Sequence, residues 1–118
     1  MKYLCLIYED ENWWDKATEA DMKKDMAEYN AFTESIKKNG NYVGGEALQP
    51  TKTAKAVRVR NGKISATDGP YVETKEQLGG YYLITAKDLN DAVQVASRIP
   101  GAKHGTVEVR PIMEFDQP

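Results

Sequence analysis

The chain has 118 residues, 41% hydrophobic and 29% charged, which fits one globular domain over residues 1–118 and excludes a disordered polymer. Its 16 basic and 18 acidic residues leave a net charge of −2, so the basic surplus of a nucleic-acid binder is missing. No apolar run nears the roughly 18 residues of a membrane span, and the opening Met1–Tyr8 is too short for a signal peptide. The expectation is a soluble cytoplasmic domain with neither nucleic acid nor membrane as a partner.

Residues 2–8 read as a strand with apolar side chains on both faces: Leu4, Leu6 and Tyr8 against Tyr3, Cys5 and Ile7. Such a strand has both faces covered. Helices can cover one, and a second subunit would cover the other, which predicts a homodimer. Cys5 is the one cysteine, so it forms no disulfide within the chain and reads as inert packing. Residues 9–15 form a polar loop containing Trp13 and Trp14, either a lid or a subunit contact. Thr18, with Asp21 three residues on, opens a helix. Met22, Met26, Tyr29, Phe32 and Ile36 give that helix one apolar face, and Asn39-Gly40 ends it.

Tyr42 to Leu48 reads as a strand interrupted by Gly44-Gly45, and Gln49-Pro50-Thr51 breaks it. Residues 56–60 and 63–67 flank Asn61-Gly62, the signal for a hairpin with a type I′ turn. Arg58 and Arg60 share one face of this hairpin, opposite Val57 and Val59. Gly80 to Ala86 is another strand, Asp88 caps a helix carrying Leu89, Ala92, Val93, Ala96 and Ile99, and Pro100-Gly101 stops it. Thr106 to Phe115 reads as the last strand, with Pro111 marking an edge or bulge. The order is β-α-β, a hairpin, then β-α-β, which predicts an α+β, ferredoxin-like fold with residues 53–79 inserted at its middle.

Chemistry concentrates in the run from Thr67 to Tyr82 and in one loop. Asp68-Gly69-Pro70 is either a structural turn or a rigidly held carboxylate acting as base, acid or ligand acceptor. Glu73-Thr74-Lys75-Glu76 is either a solvated helical turn capped by Thr74 or a set of polar groups converging on a ligand. His104 is the only imidazole; it is a surface residue unless Asp68 or Glu73 lies beside it to form an acid–base pair. Asp68, Glu73 and His104 are therefore the catalytic candidates. Lys75, Arg58, Arg60 and Tyr71 are the ligand-binding candidates. Arg58, Arg60 and Arg110 either grip an anion or pair with Glu108 and Glu114 across neighbouring strands. No HxH, HExxH or Cys/His spacing and no phosphate-loop frame occurs, so neither a metal site nor a cofactor is expected.

Five landmarks carry a family resemblance. They are Met1-Lys2-Tyr3, Gly44-Gly45-Glu46-Ala47-Leu48-Gln49-Pro50, Val57-Arg58-Val59-Arg60, the run from Thr67 to Tyr82, and Gly105-Thr106-Val107-Glu108-Val109-Arg110-Pro111. In order and spacing they resemble the DGPF-domain proteins of the YCII-related superfamily, with Tyr71 where that name carries Phe. The resemblance implies a dimeric ferredoxin-like α+β barrel with a cleft between sheet and helices or near the dimer interface. Some relatives act through a His–Asp pair whose His lies on the first helix; this chain has no His there, so that pair does not carry over. Such genes often neighbour those of extracytoplasmic-function sigma factors, which implies a regulatory role as the alternative to binding and turning over a small polar or anionic molecule by acid–base chemistry.

Overall fold

In the computed structural model, which describes residues 1–115, alternating apolar positions build a four-stranded antiparallel sheet. Its strands are β1 (Lys2–Glu9), β2 (Tyr42–Ala47), β5 (Gln77–Thr85) and β6 (Thr106–Pro111), in the order β2-β5-β1-β6. Two longer helices, α2 (Glu19–Lys38) and α3 (Leu89–Ala96), pack on the face carrying Tyr3, Cys5 and Ile7 of β1 and Tyr82 and Ile84 of β5. Phe32, Ile36, Ala92, Val95 and Ala96 supply the helical side of this core. A hydrogen bond of 2.7 Å between Thr33 Oγ1 and Tyr82 OH ties α2 to the sheet. The other sheet face, with Leu4, Leu6, Tyr8, Tyr81 and Leu83, is only half-buried.

The helix signals work as their chemistry requires. Thr18 accepts from Asp21 N–H at 3.1 Å while the Asp21 carboxylate accepts from Thr18 N–H at 3.0 Å, a complete capping box. Asp88 caps α3 by accepting from Asp91 N–H at 2.8 Å. The apolar series of α2, however, is buried only in its C-terminal half. Phe32 and Ile36 are in the core, whereas Met22 and Met26 are exposed, Met26 to 66%. Twenty residues of helix span about 30 Å, and the first turns overhang what the sheet can cover.

Residues 12–15, read as part of a loop, belong to the short helix α1 (Asn12–Lys16). The last strand stops at Pro111, opposite Tyr3, rather than at Phe115; its neighbour β1 begins at Lys2, whose carbonyl accepts the final bond of the pair from Ile112 N–H at 2.9 Å. Strand β5 starts at Gln77, three residues before the expected Gly80, while Glu73–Glu76 forms no helical turn; Thr74 Oγ1 instead donates to the carbonyl of Glu76.

The inserted segment is a separate two-stranded sheet of β3 (Lys55–Arg60) and β4 (Lys63–Asp68). Asn61 and Gly62 have φ of 53° and 75°, the two positive angles of a type I′ turn. The base of this arm is fixed by Gly69 N–H donating to Ala54 C=O at 2.8 Å and by Thr51, whose N–H and hydroxyl both donate to the Glu11 carboxylate. Beyond its base the arm projects. The Cα radius of gyration is 16.4 Å, against about 13–14 Å for a compact domain of this length. Val57, Val59 and Ile64 share one face of the arm and remain exposed, Ile64 to 78%.

Candidate functional site

Polar groups from three separate elements meet where β1 leaves the sheet. Glu9 ends β1, Tyr29 faces it from α2, and the 3₁₀ turn Pro100–Lys103 closes over both. Tyr29 OH donates to Glu9 Oε1 at 3.3 Å and accepts from Gly101 N–H at 3.1 Å. Both hydrogen-bonding roles of the phenol along this chain are thus assigned, and Glu9 Oε2 has no protein partner among the described residues.

Close approach at Gly101 makes this geometry possible. A Cβ there would lie 2.5 Å from Glu9 Oε1, 2.7 Å from Tyr29 OH and 2.8 Å from Ile7 Cγ2. Only glycine lets the turn deliver its N–H to the phenol.

His104 follows the 3₁₀ turn and stacks on Trp13 of α1, with ring centroids 5.9 Å apart and planes 17° from parallel. Trp14 meets Trp13 edge to face at 4.7 Å. Lys103 Nζ reaches Glu28 Oε2 at 3.5 Å, and Thr106 Oγ1 donates to Glu76 Oε1 at 2.9 Å. Glu9, Asp25, Glu28, Tyr29 and Glu76 are all half-buried.

Burial and neighbouring charge shift the acids of this cluster. Burial, then the neighbouring Asp25, raises the Glu9 carboxyl above its ordinary value, with the Tyr29 hydrogen bond and the charge of His104 opposing. Asp25 is raised by burial and by Glu28, again opposed by His104. Burial and the adjacent carboxylates hold Tyr29 firmly as the neutral phenol. A carboxyl shifted upward beside a phenol and an imidazole is a common arrangement for a general acid or base. Among the described residues, no three of His, Cys, Asp or Glu converge as a metal ion would need.

This shift has a consequence for stability. Because the folded carboxyl of Glu9 binds its proton more tightly than the unfolded one, stability falls as pH rises from the ordinary carboxyl value through the folded one. Glu9→Gln keeps an acceptor for Tyr29 but removes the buried charge. Its chemical-denaturation midpoint is expected above wild type at pH 7, with the difference shrinking toward pH 4. An equal difference at both pH values would contradict the raised value.

The remaining candidates lie elsewhere. Asp68 ends β4 and pairs with Lys55 across the arm, with both side chains exposed. Glu73 and Lys75 sit exposed in the loop before β5, without side-chain partners among the described residues. Arg58 lies over the Tyr71 ring at 5.3 Å, and these two with Arg60 border an open groove of about 400 Å³ on the arm. Arg110 bonds Glu108 at 2.8 Å on its own strand rather than across to a neighbour. Cys5 is fully buried, and burial pushes its thiol up to about 11, which makes it unreactive. His104 stacks on Trp13, while Asp68 pairs with Lys55 and Glu73 has no side-chain partner among the described residues, so the acid–base pairing of His104 with either is not formed.

Both the cluster and the arm fall within one known sequence family: the profile of the YCII-related domain matches residues 1–116. The chain belongs to the YCII-related family. An uncharacterized protein of Rhizobium meliloti (strain 1021) is 32% identical over 114 residues, covering 95% of this chain and 92% of that one. Within this YCII-related domain, sequence reasoning named His104 but missed Glu9, Asp25 and Tyr29. Tyr29 hid in the apolar series of α2 and Glu9 at the end of a strand. The available signal was Pro100-Gly101 just before the lone histidine, a turn with room for no side chain.

Proposed function

We propose that this YCII-related domain is a cytoplasmic, ferredoxin-like homodimer that binds a small polar molecule at the Glu9–Tyr29–His104 cluster and moves a proton to or from it. The hydrogen-bond chain from Gly101 N–H through Tyr29 OH to Glu9 is the observation that carries this reading, because it leaves Glu9 Oε2 with no protein partner among the described residues. Glu9 takes the role of acid or base, Tyr29 orients it, and the Trp13–His104 stack forms one wall. The acidic surroundings of Asp25, Glu28 and Glu76 favour a neutral or cationic molecule over an anion. Support for the barrel and the dimer comes from the strand order β2-β5-β1-β6 and from the half-buried outer face of Leu4, Leu6, Tyr8, Tyr81 and Leu83.

Both tryptophans of the chain lie at the cluster, so their emission reports on it. A library of small polar compounds, scored by tryptophan emission and by thermal shift, is expected to yield binders whose affinity falls at least tenfold in Tyr29→Phe and His104→Ala. Binders that ignore both substitutions would remove the site from this role. A second reading, a regulatory module that engages sigma-factor signalling, is favoured by one feature, the exposed apolar face of the arm.

A further inference from the structure

Besides the half-buried sheet face, two surfaces lack a partner among the described residues, and their chemistry matches. The first is the β3–β4 arm, whose two strands pack chiefly on each other. Val57, Val59, Ile64 and Ala66 share one face, while Arg58, Arg60 and Lys63 share the other. Residues 52–67 hold five cations and no acid. The second surface is the overhanging N-terminal half of α2, with Met22 and Met26 exposed. It belongs to the segment 9–28, which holds eight acids against three lysines.

We propose that the arm of one protomer docks on the N-terminal half of α2 of a second copy. This rests on the homodimer of the proposed function and adds an exchanged contact to the one made by its half-buried sheet face. Apolar contact comes from Ile64 and Val57 against Met22 and Met26, whose unbranched side chains adapt to such a surface. The arginine heads reach around the arm edge to the acids of the partner segment, their stems lying along apolar surface. A second copy is favoured over another protein because one two-fold exchange satisfies both orphan surfaces on both chains and leaves no arm open for further growth. Charge complementarity also argues against docking like on like: arm would repel arm, and helix would repel helix.

Charge reversal tests this with two full-length variants. The first carries Arg58→Glu and Arg60→Glu; the second carries Asp15→Lys and Glu19→Lys, both exposed positions outside the candidate site. Each variant alone is expected to weaken its homodimer about tenfold or more in sedimentation equilibrium. Mixing them is expected to restore association as a one-to-one heterodimer, visible as a mixed mass by native mass spectrometry, since both exchanged contacts then regain opposite charge. Ile64→Ser, at an exposed arm position, should weaken the wild-type dimer while leaving its circular dichroism unchanged.

The outcomes separate the two claims. A wild-type dimer that both reversals leave intact, or a mixture with no preference for the heterodimer, overturns the arm exchange and leaves the dimer standing. A wild-type chain that stays monomeric at all concentrations overturns both.

Discussion

Gly105→Ala is expected to destabilise the domain by about 3 kcal/mol, the upper end for overpacking, and to lower the melting temperature by about 12 °C. The added Cβ would lie 2.0 Å from the Tyr8 carbonyl oxygen, 3.1 Å from the Tyr8 carbonyl carbon and 3.2 Å from Glu9 Cα. All three are backbone atoms of β1, so no side-chain rotation relieves the clash. The chain must move where β6 begins, and Thr106 is the residue paired with Tyr8 there. That displacement also shifts Glu9, the next residue of β1, away from Tyr29. Stability and the candidate site therefore fail together in this variant. Gly79→Ala is the control: a Cβ there meets nothing within 4 Å, so the expected change is within about 0.5 kcal/mol or slightly stabilising. Urea denaturation of the two variants checks both numbers. Equal midpoints would show that β1 and the start of β6 are not held as closely as described.

How far the sequence could be read depended on whether a signal was local. Asn61-Gly62 forces its turn through two positive φ angles, and Thr18 with Asp21 satisfies its own helix end. Both are decided within four residues, so both were legible. The site is not local. Glu9, Tyr29 and Gly101 stand 20 and 72 residues apart along their two hydrogen bonds, and no spacing rule links them. In the Asp-Gly-Pro run turn chemistry and charge coincide, and its Asp68 pairs with Lys55 at the base of the arm, both side chains exposed. A charged cluster in sequence is a set of neighbours along the chain. A site is a set of neighbours across it.

Helix α2 gives the sharpest case, because one periodic pattern covers two physical situations. Met22, Met26, Phe32 and Ile36 look alike as an apolar series, but periodicity states only which side of a helix is apolar and never what lies opposite. Ile36 is 0% exposed among Tyr3, Cys5 and Ile84 of the same core, so Ile36→Ala is expected to cost about 2–5 kcal/mol through lost burial and a residual cavity. Met26→Ala removes a side chain that the folded protomer leaves in water, and its expected effect on a dilute, monomeric sample is within about 0.5 kcal/mol. Under the proposed arm exchange, the same substitution should weaken self-association at high concentration, because Met26 would then meet the partner's arm. Denaturation midpoints measured across protein concentration separate the two. A concentration-independent loss at Ile36, beside a loss at Met26 that grows with concentration, would assign the first half of α2 to the partner and the second to the core. A large, concentration-independent loss at Met26 would instead mean that the overhang is buried within its own chain.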